Sequence, residues 1–141
     1  MNITTILVPT DFSESSFHAV QHGLELARRF GAKLHVFHVI REMVFYMPAF
    51  GGYSPSREEY AARATAFLDS CVSESDRAQV RVSTEYQFGT PGELIVRKSE
   101  ELGPTLIVMG THDAGVIERS LSEGVSQYVV SHAACPVLTV H

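Results

Sequence analysis

No apolar run in this 141-residue chain approaches the ~20 residues that cross a bilayer as a helix. The longest are short stretches such as 106–109. Positive charge is also scarce. Eleven Lys and Arg stand against sixteen Asp and Glu, for a net charge of −5. That balance argues against binding DNA or RNA through phosphate neutralisation. Cysteine is rare: Cys71 and Cys135 lie far apart and form neither a CxxC nor a disulfide framework. Both read as free thiols, the usual state in a reducing compartment. No basic region or cleavage site precedes Ile6-Leu7-Val8, so a signal peptide is not expected and a cytoplasmic location is. The sequence has no GxGxxG and no GxxxxGK[ST], which removes the standard dinucleotide fingerprint and the P-loop. No repeat, low-complexity tract or linker divides it, so a single domain over 1–141 is expected. An apolar fraction of 45% with 19% charged residues is ordinary for a globular chain with one core.

What is there alternates between strand-like and helix-like segments. Residues 3–8 are apolar and β-rich. The spacing then predicts a helix over 13–30, with Phe17, Val20, Leu24 and Ala27 on one face and Gly31 as its stop. A second strand is predicted over 33–40. A second helix is predicted over 56–74, opened by a Ser56–Glu59 capping box and carrying Tyr60, Ala64, Phe67, Leu68 and Cys71 as its stripe. Residues 79–88 alternate, which predicts an edge strand with one wet face. Thr90-Pro91-Gly92-Glu93 opens a third helix, with threonine as N-cap and proline at N1, ending at Gly103-Pro104. Residues 105–109 are apolar on both faces and predict a central strand. A loop over 110–122, a last helix over 123–132 and a final strand over 136–140 complete the chain. Residues 43–55, rich in Gly, Pro and aromatics, read as a long loop. The βα rhythm predicts an α/β fold, a doubly wound parallel five-stranded sheet with helices on both faces.

In such a sheet, ligands bind beyond the carboxyl ends of the strands. After the first strand comes Pro9-Thr10-Asp11-Phe12-Ser13, where Asp11 is either a helix cap or a ligand contact. After the fourth comes Met109-Gly110-Thr111-His112-Asp113-Ala114-Gly115, and later Ser120-Leu121-Ser122-Glu123-Gly124-Val125-Ser126. Glycines at a strand end and a helix start suit close approach to an anion, or simply a turn and a cap. His18 and His22 have a zinc-compatible spacing but no third ligand, and read as solvated helix residues. His35 and His38 face opposite sides of their strand. No motif pairs His112 with a nucleophile, and Ser120 and Ser122 lack a GxSxG setting. No catalytic or metal-binding set is therefore expected.

These motifs together resemble those of the universal stress protein family. The opening Ile6-Leu7-Val8-Pro9-Thr10-Asp11-Phe12-Ser13 is similar to its first strand and turn. Gly89-Thr90-Pro91, Leu106 to His112, and His132 to Leu138 resemble its later landmarks, so the likeness spans essentially the whole chain. The resemblance implies a flavodoxin-like winding with strand order 3-2-1-4-5 and no ordinary catalytic activity. It also implies a homodimer paired antiparallel through the edge strand from Pro136 to Val140. An edge that is apolar in Val137, Leu138 and Val140 invites such pairing. Many relatives bind ATP through G-x2-G-x9-G-[ST]. Here those positions hold Gly110, Asp113, Glu123 and Gly124, so one of the four matches. By resemblance, Pro9, Thr10, Asp11, Val39, Met109 and Val125 line adenine and ribose, with Gly110 and Gly124 at the phosphate end. Asp113 and Glu123 would repel a triphosphate, and a like-charge pair at ~4 Å costs about 4 kcal/mol at an effective dielectric near 20. Two readings follow. One is a non-catalytic, cytoplasmic, homodimeric stress-response protein with weak or absent ATP binding and no essential cofactor. The other is an adenine-nucleotide-binding sensor. An enzyme on the same fold is a third, weaker reading.

Overall fold

The computed structural model describes residues 2–42, 55–103, 105–111 and 124–141. Five parallel strands, β1 (Thr5–Pro9), β2 (Lys33–Arg41), β3 (Val82–Gly89), β4 (Thr105–Gly110) and β5 (Val137–Val140), form one sheet in the order β3-β2-β1-β4-β5. The expected winding is present. β1 is buried at every residue, with β2 on one side and β4 on the other. The alternating strand β3 lies on one edge, as its wet face required. The expected loop over 43–55 and the 110–122 loop fall almost wholly outside the described residues.

Crossover handedness places the helices. α1 (Glu14–Phe30) and α2 (Arg57–Ser70) connect strands stepping one way from β1, and pack on one face. α4 (Pro91–Leu102) and α5 (Val125–His132) lie in the connections β3 to β4 and β4 to β5, which run the other way across the sheet, and cover the opposite face. β2 alternates between the two cores. Leu34 and Val36 join Val20, Leu24 and Leu68 on the α1 face, while Phe37 joins Leu7, Ile95 and Val129 on the other.

Four local details differ from expectation. The predicted helix over 56–74 is two helices: α2 ends at Ser70, and α3 (Glu74–Gln79) begins afresh. Ser73 causes the restart. Its hydroxyl accepts from the Asp76 amide at 3.1 Å and donates to the Asp76 carboxylate at 2.9 Å. The strand expected from 79 therefore starts at Val82, and Val80 is a buried helix cap. Phe17 is 50% exposed rather than part of the α1 core stripe. That helix packs through small residues, Ser16, Ala19, Gly23 and Ala27, alongside Val20 and Leu24. A Cβ on Gly23 would lie 2.7 Å from Val8 Cγ2, so no aromatic fits beneath this helix. Thr90 holds the N-cap position of α4 but makes no side-chain cap bond; Pro91 at N1 sets the entry instead.

Gly110 closes the sheet against α1. A Cβ there would meet the backbone of Ser15 and Ser16 at 2.6–2.7 Å. The close approach anticipated for this glycine is thus to the chain's own helix. Backbone atoms do not yield as a side-chain tip does, so Gly110→Ala is expected to destabilise by about 1–3 kcal/mol. Urea unfolding checks this, as a lowered midpoint at unchanged slope.

On the α4 face, the β3 edge carries a polar network. Glu85 accepts from Lys98 Nζ at 3.0 Å and Gln87 Nε2 at 3.0 Å, and pairs with His35 Nε2 at 2.9 Å. Lys98, only 9% exposed, also reaches Glu101 at 2.9 Å. Burial alone would raise the Glu85 carboxyl. The hydrogen bonds from Gln87, Lys98 and His35 and the Lys98 charge outweigh it, holding the group below its ordinary 4.5. A lowered carboxyl contributes stability that is present above the ordinary value and lost as pH falls through the folded one. Glu85→Gln is therefore expected to lower the thermal midpoint at pH 7. It should also reduce the loss of stability on acidification below about pH 4.5. A variant whose melting profile follows wild type at every pH would refute the role of this network.

Candidate functional site

The chain reverses its direction of travel at β1, so the carboxyl ends of β1 and β4 diverge and leave a crevice. A cleft of about 280 Å³ opens there. It is at the small end of ligand sites, which span about 300–1,000 Å³.

Its first wall is the turn after β1. The Thr10 amide donates to the Phe37 carbonyl at 2.8 Å, which keeps the turn tied to β2. The Thr10 hydroxyl lies 2.9 Å from Ser16 Oγ and accepts from the Phe12 amide at 3.0 Å. Asp11 accepts from the Ser13 amide at 3.0 Å, an Asx turn. The cap of α1 is Ser13, whose hydroxyl accepts from the Ser16 amide. Asp11 is thus not the helix cap, and it lines the cleft.

The second wall is apolar: Phe37 and Val39 from β2, Ile95 from α4 and Met109 from β4. The third is the start of α5, where Gly124 is the N-cap at φ 102 and Val125, Ser126 and Gln127 follow along the cleft. The first N–H groups of a helix have no partner within it, so this wall offers donors and a positive dipole end. Asp113 and Glu123 lie outside the described residues.

The structure gathers all eight residues singled out from the sequence around this one cleft: Pro9, Thr10, Asp11, Val39, Met109, Gly110, Gly124 and Val125. They come from β1, β2, β4 and the start of α5. The sequence reading missed Arg41, which with Asp11 is one of the two charged residues among those described on the lining. Phe37 and Ile95 were missed too. Strand periodicity held the signal for two of these, because Phe37, Val39 and Arg41 are alternate residues of β2 and share a face. Ile95 enters through α4 packing, which no local pattern reveals. Among the described residues lining the cleft there is no histidine, cysteine or lysine.

Three of the histidines considered from the sequence have structural partners. His35 lies 2.6 Å from Ser83 Oγ, and His38 contacts the Thr10 carbonyl from the opposite face of β2. His18 contacts the His141 carbonyl at 3.1 Å. Among the described residues no cluster of three metal-ligating side chains occurs, and no helix is long and apolar enough to cross a membrane. Both cysteines are free thiols, and burial pushes the Cys71 thiol up.

Comparison with known proteins agrees with this architecture. A model of the universal stress protein family matches residues 2–141. The universal stress protein MJ0531 of Methanocaldococcus jannaschii is 32% identical over 136 residues, covering 96% of this chain and 80% of the relative. The fold is shared with a universal stress protein solved in complex with cAMP, at a TM-score of 0.73 and 22% identity, covering 100% of this chain and 98% of the other. It is shared equally with the universal stress protein of Archaeoglobus fulgidus in complex with dAMP, at a TM-score of 0.71 and 21% identity over the full length of both. With the motifs, the strand order and the family match in agreement from end to end, the chain belongs to the universal stress protein family.

Proposed function

We propose that this protein is a non-catalytic stress-response protein that binds an adenine mononucleotide in the cleft between β1 and β4. The carrying observation is the cleft's division into an apolar wall and a donor-rich end. Phe37, Val39, Ile95 and Met109 suit the faces of a purine. The start of α5 suits one phosphate group. Asp11 accepts from a ribose hydroxyl or the adenine amino group. Two fold relatives, solved with cAMP and with dAMP, carry ligands with an adenine ring and a single phosphate. A triphosphate is disfavoured, because Asp113 and Glu123 stand where the ATP-binding relatives have glycines. The lining supports binding over catalysis: Thr10, Ser13 and Ser16 hydrogen-bond within the turn, and the Asp11 carboxylate accepts from the Ser13 amide instead of facing a nucleophile. Free thiols at Cys71 and Cys135 suit the cytoplasm.

We further propose a homodimer joined through β5. Leu138 is 41% exposed on an edge strand that is otherwise apolar at Val137 and Val140. Unpaired apolar edges recruit a second strand, and a two-fold axis closes the assembly.

Isothermal calorimetry tests the ligand. AMP is expected to bind with ATP and magnesium at least about tenfold weaker. Asp11→Ala is expected to weaken AMP by about tenfold to a hundredfold, the range for a hydrogen bond to a charged group. Absence of heat with both AMP and cAMP, or ATP binding at micromolar affinity, would overturn the reading.

Light scattering tests the assembly. The wild-type chain is expected at twice its monomer mass, and Leu138→Lys at the monomer mass. A dimer that survives Leu138→Lys would exclude this strand as the seam.

A further inference from the structure

We infer that His38 is a positioning residue for the ligand turn: together with Phe12 and Phe67 it locks residues 9–13 in the shape that presents Thr10 and Asp11 to the cleft. The ligand part of this inference rests on the function proposed above; the turn geometry does not.

His38 does not line the cleft. Its strand sends it to the face opposite Val39, where its Nδ1 lies 2.7 Å from the Thr10 carbonyl oxygen. A carbonyl only accepts, so Nδ1 carries the proton and donates. The neighbouring Phe37 carbonyl accepts from the Thr10 amide at 2.8 Å. Two consecutive residues of β2 thus hold both backbone polar groups of Thr10. Beyond Asp11, Phe12 adopts φ 65, a left-handed conformation uncommon for a bulky residue. Its ring is held there, 4.3 Å from the His38 ring and 4.8 Å from the Phe67 ring, by centroids. Asp11 lies between Thr10, bonded to His38, and Phe12, whose ring packs at a tilt against His38. Burial lowers the imidazole's proton affinity, more than the Thr10 bond and the Asp11 charge raise it, which favours the neutral ring with its proton on the nitrogen that faces Thr10. An apolar side chain at this position would fill the space and leave the Thr10 carbonyl without its donor.

Two substitutions separate filling from donating. His38→Leu keeps the bulk and removes the donor. His38→Asn keeps a donor close to the Nδ1 position. Amide hydrogen exchange at Phe12 and Ser13 is measured on the ligand-free full chain, and AMP affinity by calorimetry, with the urea midpoint as a control for global stability. His38→Leu is expected to speed exchange at Phe12 by about tenfold or more and to weaken AMP by about tenfold. His38→Asn is expected to stay near wild type in both. Leu and Asn variants behaving alike, or exchange at Phe12 unchanged in the Leu variant, would overturn the inference. Should His38→Leu fail to fold, Phe12→Gly relieves the backbone and removes the ring. Faster exchange at Ser13 supports the lock, and unchanged exchange refutes it. If wild type binds no AMP, the functional reading fails, and the exchange measurements still decide the role of His38.

Discussion

Parallel pairing of β1 on both of its sides is the constraint from which the rest of this structure follows. Its five residues are buried, so every side chain must meet a core. That requires helices on both faces, and crossovers of one hand supply them. The chain winds outward through β2 to β3, returns, and winds outward again through β4 to β5. Because the direction changes at β1, the helices that follow β1 and β4, α1 and α5, lie on opposite faces. The cleft is the space between them. It results from topology before any residue is chosen for a ligand.

The residues at that crevice carry two obligations at once. Gly110 admits the backbone of α1, and it also ends β4 at the cleft. Thr10 joins β1 to β2 and α1 through three hydrogen bonds, to Phe37, His38 and Ser16, while presenting itself to the lining. Phe12 accepts an unfavourable backbone conformation, offset by its stacking on Phe67 and its tilted contact with His38. Packing and site are therefore not separable here. A substitution that loosens the α1 start also moves the wall against which a ligand would lie.

The two sheet edges have different characters. The β3 edge carries Glu85 in a network with His35, Gln87 and Lys98, charges that discourage a further strand. The β5 edge has no comparable charge and exposes Leu138. This asymmetry supports the dimer seam proposed at β5.

Much of this was legible in the sequence because local patterns carry it. Alternation in 79–88 marked an edge strand, doubly apolar 105–109 marked a central one, and Ser56 and Gly31 stand at helix ends for reasons of backbone hydrogen bonding. The gathering of the eight named residues was legible only through their resemblance to a family, since they come from four separated segments. Other features were settled by tertiary packing alone. Phe17 is exposed because α1 sits too close to β1 for a large ring. Ser13 rather than Asp11 caps α1, because the Thr10 contacts fix where the helix begins. Arg41, Phe37 and Ile95 reach the cleft because sheet register and α4 docking bring them there. Periodicity tells which face a side chain takes. Only the packed sheet decides what that face meets.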